Sequence, residues 1–409
     1  MSTFIKIALR NIFRNIKRSL ITVSAVGFGL GALIFIWSFV EGAHKQMIEN
    51  YTSYLTSHIV IHKKGYHQKN TLDTHIKSPE GTLSALNQDK RIAAAAPRLK
   101  ADGLLSSSES SSGVLIYGVD PTRETKVSRL NQRVKSGSFL QADSDKDIVI
   151  GASLAKNLNV GLGDKVVIMS QALDGSIAAG AFHILGLLDS GVEEIDKGIA
   201  LLPLKTTQSL FVMNEGVSEI AVRLKEARLS KTAAHELAQN LPSPDQREVL
   251  PWQDVSPIME QWIEFDNAFI WIIVIVVMIV VAIGILNTVL MGVLERTREF
   301  GILLALGTNH KQIVAMVTWE SLFLGLIGSL AGLIIGSGLT LYFSKAGVNL
   351  SLFTSAMNSF YMDAFIYPVL HPGYVAISVI LVLCTSMIVS VYPAWHAAHL
   401  KPVDAIRSV

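Results

Sequence analysis

Four long apolar runs decide what this chain of 409 residues can become. Leu20–Val40 carries no charge over about 21 residues, and as a helix at 1.5 Å per residue it extends about 31 Å, the depth of a bilayer's hydrocarbon core. Ala268–Leu294 is longer and equally free of charge, Ile313–Phe343 holds one charged residue, Glu320, and Gly373–Val391 holds none. In hydrocarbon a segment must satisfy its backbone polar groups internally, which makes each run a helix. The first run follows Lys6, Arg10, Arg14, Lys17 and Arg18, as a secretory leader would. It exceeds the about 7–15 apolar residues of a leader and has no A-x-A-like site after it, so we expect an uncleaved anchor.

Composition agrees and narrows the classes. Charged residues make up 17% of the chain, against about 25% in soluble domains, and the mean hydropathy is +0.41. Disorder is excluded, and a net charge of +2 gives no footprint for nucleic acid. The only cysteine, Cys384, lies inside an apolar run and rules out an intramolecular disulfide or a thiolate metal cluster.

Basic residues in short loops set the orientation. The N-terminal arm has five and no acids, the loop after the second run has Arg296, Arg298 and Lys311, and the tail has Lys401 and Arg407. The loop from Ser344 to His371 has Lys345 alone, offset by Asp363. Both termini and the 295–312 loop are therefore expected in the cytoplasm, with the large intervening segment outside. The expected layout is a basic arm (1–19), helices at 20–42, 268–294, 313–343 and 373–393, an external α/β domain (43–267), a cytoplasmic loop (295–312), a short external loop (344–372) and a tail (394–409).

The external segment alternates β-like and helix-like runs. His58–His62 and Pro97–Leu105 flank a helical Pro79–Asn87, while Ser218–Leu224 and Arg247–Leu250 flank a helical Leu229–Asn240. Two β-α-β units so separated predict a split, ferredoxin-like module. Val114–Val119, Asp147–Ile150, Lys165–Ser170, Ala181–Leu188 and Gly198–Leu202 predict a strand-rich inserted lobe at about 108–213. Ser106–Ser112 reads as a hairpin tip. His58, His62, His67 and His75 invite a metal, but Lys63 and Lys64 would repel one and no carboxylate or thiolate adjoins them, so solvated strand surface is expected. Trp252, Trp262 and Phe265 suit a membrane-surface anchor.

The chain contains no Gly-Lys dipeptide and hence no phosphate loop, and neither G-x-S-x-G, H-E-x-x-H nor C-x-x-C occurs. We expect no catalysis by this chain and no metal. Glu295-Arg-Thr-Arg-Glu-Phe-Gly301 and Leu304-Ala-Leu-Gly307 instead predict a short charged helix outside the bilayer, closed by Gly307. Gly328, Gly332 and Gly336 recur every fourth residue and predict close helix packing. Glu320 must face protein or water, most simply bonding the neighbouring loop, and Asn287 is expected in an interhelical hydrogen bond.

Four features in order carry a resemblance: Ala8-Leu-Arg-Asn-Ile12; Ile148-Val-Ile-Gly-Ala-Ser-Leu-Ala-Lys156 with Val160-Gly-Leu-Gly-Asp164; Val293-Leu-Glu-Arg-Thr-Arg-Glu-Phe-Gly301 with Ala305-Leu-Gly307; and Tyr392-Pro-Ala-Trp-His-Ala-Ala398 with Lys401-Pro-Val-Asp-Ala405. Over nearly its whole length the chain resembles permease subunits of the MacB/FtsX-like ABC transporters, of the lipoprotein-releasing LolC/LolE type. The resemblance implies four membrane helices with a two-lobed external α/β domain of the Porter/Sabre kind. It implies a coupling helix near Glu295–Leu306 docking on a separate cytoplasmic ATPase dimer, which carries the ATP and Mg, so that this chain binds no cofactor. Glu295, Arg296, Arg298 and Glu299 would be the ATPase contacts, with Gly301, Ala305 and Gly307 shaping the segment. A second permease copy or homologous partner is implied, and a lipoprotein substrate or a periplasmic carrier or adaptor. Acyl chains would bind between the first and second helices of paired subunits, near Phe35, Phe39, Phe269 and Ile273, residues that core packing explains equally well. Efflux through an adaptor and outer-membrane duct, or FtsX-like regulation of an external enzyme, would use the same architecture.

Overall fold

The computed structural model describes residues 14, 16–54, 56–69, 71–141, 144–241, 246–401 and 405. Lys6, Arg10, Ala8–Ile12 and Arg407 lie outside them. The chain divides into a helical unit (residues 1–45, 263–350 and 365–409) and an α/β unit (residues 46–262 and 351–364).

The helical unit is built on α1 (Ile16–Tyr54), α2 (Pro257–Glu295), α3 (Thr297–Ala305), α4 (His310–Ala346) and α5 (Pro372–Ala398). All but α3 are long and apolar enough to cross a membrane. The helices outrun their apolar runs, α1 continuing through the polar stretch Glu41–Tyr54. Val26, Leu30 and Ile34 of α1, Val281, Ile285 and Val289 of α2, Phe300 of α3 and Val382 of α5 share one buried core. The small-residue stripe of α4 faces α1. A Cβ at Gly332 would lie 2.8 Å from the Gly27 carbonyl oxygen, and one at Gly336 would lie 2.8 Å from that of Gly31. Only bare backbone on both helices allows that approach.

In the α/β unit ten strands join one sheet system: β1 (Ile59–Lys63), β2 (Ile92–Ser106), β3 (Ser111–Val119), β4 (Val134–Gly137), β5 (Asp147–Gly151), β6 (Lys165–Gln171), β7 (Ile177–Leu188), β8 (Ile199–Pro203), β9 (Glu219–Leu224) and β10 (Arg247–Pro251). The order β10-β1-β9-β2, antiparallel throughout, is the split β-α-β arrangement. Helices Glu80–Leu86 and Ser230–Asn240 bury Leu83, Leu86, Ala234 and Leu237 against Ile59, Ile61 and Val222. The inserted lobe closes on itself. Strand β2 pairs β3, then β8, β5, β7 and β6 follow, and β6 returns to β2 through Leu104–Ser106. Val114, Ile116, Val166, Ile168 and Phe182 fill this barrel, and closure leaves no unpaired edge along the ring it completes.

The two lobes share one strand. The first half of β2 pairs β9 and its second half pairs β3, with Arg98 opposite Glu219 on one side and Val119 on the other. β2 therefore starts five residues before the expected Pro97, because Ala93–Ala96 has no β-branched signal and is held only by its neighbours. The hairpin tip is where it was expected, between Ser106 and its partner Ser111.

Candidate functional site

The segment following α2 forms a small, sharply bounded helix. α3 ends in a Schellman motif: Thr308 N–H donates to the Leu303 carbonyl (3.0 Å) and Gly307 N–H to that of Leu304 (3.0 Å), with Gly307 at φ +86°. A side chain at that φ would be strained, which gives Gly307 its purpose. Asn309 then opens α4 with a capping box, its side chain accepting from Lys311 N–H and its own N–H donating to Gln312.

α3 has two distinct faces. Phe300 and Gly301 are buried against the bundle, while Arg298, Ile302 (44% exposed), Ala305 and Leu306 (79%) point outward. These four recur at helical spacing and form an apolar ridge with one cation. Arg296 was expected among the outward contacts and is instead buried, 8% exposed. It lies against the Phe300 ring, donates to Glu299 (2.9 Å) and reaches Glu320 on α4 (3.0 Å). The reason is periodic: four residues before Phe300, it shares that residue's inward face. Glu295 and Glu299 remain exposed but are also paired, with Arg18 of α1 (2.9 Å) and with Arg14 (2.7 Å), respectively. Burial pushes the Glu299 carboxyl up, but hydrogen bonds from Arg296 and Arg14 outweigh it and hold the group below the usual carboxylate range. Glu320 thus meets the neighbouring loop through Arg296, and also α1 through Arg18 at 3.6 Å.

Other expectations change. Asn287 is exposed on α2 and makes no hydrogen bond with another described residue, because its helix turns Thr288 and Val289 inward instead. Among the described residues no ring contact joins Phe35 or Phe39 to Phe269. Phe35 meets Phe343 of α4 edge-on (5.6 Å), Phe269 is half exposed, and Leu33 and Trp37 with Ile270 and Val274 fill the α1–α2 contact. Among the external aromatics Trp262 and Phe265 are exposed but Trp252 is buried. His58 and His62 are buried rather than solvated, since β1 lies inside the sheet between β10 and β9. His58 accepts the Leu224 N–H (3.1 Å), and His62 stacks on Tyr66 (4.6 Å). Burial, then the nearby Arg223, lowers the His58 pKa to about 4. No group of three or more metal-ligating side chains occurs among the described residues.

Sequence reasoning missed a second ion cluster, at the lobe junction. Arg98 is wholly buried and forks onto Glu124 (2.6 and 3.0 Å), while Glu219 takes Arg98 (3.3 Å) and Lys100 (2.7 Å). Burial opposes the Glu219 charge, but Lys100 and Arg98 prevail and hold its pKa below the usual range. The one available signal was Arg98 and Lys100 interleaved in an otherwise apolar strand.

Residues 19–240 match the family profile of the MacB-like periplasmic core domain, and residues 271–402 that of the FtsX-like permease C-terminal domain. The lipoprotein-releasing system transmembrane protein LolC of Xylella fastidiosa is 25% identical over 95% of this chain and 93% of its own length. LolE of Haemophilus influenzae is 22% identical over 94% and 93%, respectively. The macrolide export ATP-binding/permease protein MacB of Hyphomonas neptunium is 24% identical over 99% of this chain but only 60% of its own length. With four helices long and apolar enough to cross a membrane and a two-lobed α/β unit under matching profiles, the chain is a membrane protein belonging to the MacB-like family with an FtsX-like permease C-terminal domain.

Proposed function

We propose that this chain is the non-catalytic permease subunit of an ATP-driven machine that releases lipoproteins from the inner membrane, a mechanotransmitter worked by a separate ATPase dimer. The carrying observation is the outward ridge of α3, with Arg298, Ile302, Ala305 and Leu306 exposed on a helix closed at its C-terminus by a Schellman motif and tied at its start to Glu320 through Arg296. An exposed apolar ridge on a short helix outside the bilayer is a docking element. The basic residues Arg14, Lys17, Arg18, Arg298 and Lys311 support a cytoplasmic position for it and, with that, a periplasmic α/β unit. Similarity to LolC and LolE relatives along nearly the full length of both chains supports lipoprotein as cargo. Four helices make half a transporter, so a second copy or a homologous permease completes it. Since Leu33, Trp37, Ile270 and Val274 fill the α1–α2 contact within one chain, any acyl site draws on the exposed Phe269 side of α2 together with that second subunit. Export with an adaptor is the second reading, favoured by the MacB relative that aligns with 99% of this chain.

Affinity purification of the full chain from native membranes, with mass spectrometry of proteins and acylated species, tests the reading. An ATPase and an acylated lipoprotein are expected, and both should be retained by the wild type while Ile302→Asp with Leu306→Asp loses the ATPase. An ATPase accompanied by an adaptor would move the assignment to export. A stable preparation without any ATPase would overturn it.

A further inference from the structure

The charges flanking α3 form a continuous chain across the helical unit. Glu320 of α4 lies between Arg296, at the start of α3, and Arg18 of α1. Arg18 continues to Glu295 at the end of α2, and Arg296 continues to Glu299 within α3. Four helices are thus tied through one carboxylate about ten residues, or about 15 Å, along α4 from His310. The seat is built for these groups. A Cβ on Gly292 would come within 2.8–3.0 Å of the Arg18 guanidinium, so the glycine lets that group lie flat on α2. A cavity of about 20 Å³, bordered by Arg18, Gly292, Arg296 and Glu320, adjoins the chain and is large enough for one water molecule. Glu320 holds two cations where loss of its charge would leave both with one remaining acid each, Glu295 and Glu299.

We propose that Glu320 is the positioning residue of the drive train: through Arg296 and Arg18 it makes α3 move with α1 and α4, so that force received at the α3 ridge reaches the spanning helices. This rests on the docking role proposed for α3 and adds the route by which the load leaves it. Glu320 itself touches neither nucleotide nor cargo. Its loss uncouples the machine without detaching the ATPase, because the ridge residues Ile302 and Leu306 are untouched.

The test uses the full complex in proteoliposomes, measuring ATP hydrolysed and acylated lipoprotein released to the aqueous phase in the same sample. For Glu320→Gln the ATPase should co-purify in wild-type amount and hydrolysis should persist, while release per ATP falls about tenfold, the loss expected when a charge-assisted contact is removed. Glu320→Asp, which keeps the charge, should recover part of the ratio. Gly292→Ala supplies a variant that spares the fold, since its new methyl meets only the movable end of Arg18. It should lower the ratio in the same direction by a smaller factor. A wild-type ratio in both Glu320→Gln and Gly292→Ala overturns the inference and leaves the docking role standing. Loss of the ATPase from Glu320→Gln also overturns it, by making Glu320 part of docking rather than transmission. Wild-type protein that recruits no ATPase overturns both.

Discussion

Two ion clusters among the described residues are built on opposite plans. At the lobe junction of the α/β unit, Arg98 forks onto Glu124 with both side chains fully enclosed, and the ladder partners of β2 fix Arg98 opposite Glu219. Arg98 and Lys100 on β2 and Glu219 on β9 are held by paired strands, and Glu124 is carried by the helix Pro121–Val127. In the helical unit, Arg18, Arg296 and Glu320 are linked mostly by single contacts of 2.9–3.6 Å, carried on long side chains from separate helices beside a water-sized void. Each cation there has a second carboxylate within reach. The first cluster is a pin that specifies one geometry. The second offers each cation two carboxylates, which suits the transmitting role proposed for it.

Removing one charge separates the two plans most widely. Arg98→Met leaves Glu124 and Glu219 in an enclosed site with too little positive charge, and breaking a buried pair in this way costs about 3–5 kcal/mol. Denaturant unfolding of the full chain in detergent, followed by the emission of the buried Trp252, should report that loss. Replacing Arg98, Lys100, Glu124 and Glu219 together by apolar residues of similar volume should recover most of it, because the desolvation cost leaves with the charges. A loss below about 1 kcal/mol for Arg98→Met alone would show that the junction is not pinned by ions.

Protonation probes the same unit from a different residue. Native His58 resists its proton down to about pH 4, because burial and then Arg223 disfavour the cation, whereas the unfolded chain takes one near 6.5. Between those values the unfolded state binds more protons. Stability is therefore full above pH 6.5, falls as the pH drops toward 4, and changes no further through this group below that. The shift corresponds to about 3 kcal/mol. Burial lowers the His62 pKa as well and acts in the same sense. Unfolding titrations at stepped pH should show this slope for the α/β unit, and His58→Asn should flatten it. An unchanged slope in that variant would assign the acid sensitivity to other groups.

What could be read in advance follows from how local each cause is. Uninterrupted apolar runs and the four-residue spacing of Gly328, Gly332 and Gly336 act within a single helix, so the spans and the packing stripe were legible. The two β-α-β units were legible because alternation and helical spacing change over within a few residues. Closure of the barrel was not, since it depends on Leu104–Ser106 pairing with Val167–Met169 across more than sixty positions. The inward turn of Arg296 was available in part, from its spacing to Phe300, yet the partner that makes burial tolerable is Glu320, one helix later. Asn287 fails in the other direction. A polar residue in an apolar run predicts a partner, and within this chain the helix presents it outward.

The helical unit can be tested against the same contrast at its tightest contact, with a smaller effect. Alanine at Gly332 places a methyl 2.8 Å from a backbone oxygen of Gly27 and from the Cβ of Leu30, and neither atom can give way without moving α1. Overpacking of this kind costs about 1–3 kcal/mol, of which the better helix propensity of alanine returns up to about 1. Gly338 lies six residues further along α4 from Gly332 with no atom within 4 Å of the new methyl, so there only the propensity gain applies. The same substitution should therefore change sign along one helix: Gly332→Ala destabilises and Gly338→Ala stabilises, read as loss of helicity in a detergent-to-SDS titration of the full chain. If both stabilise, α1 and α4 are not in backbone contact, and the anchorage that lets α1 share a load with α4 lies in the ion chain alone.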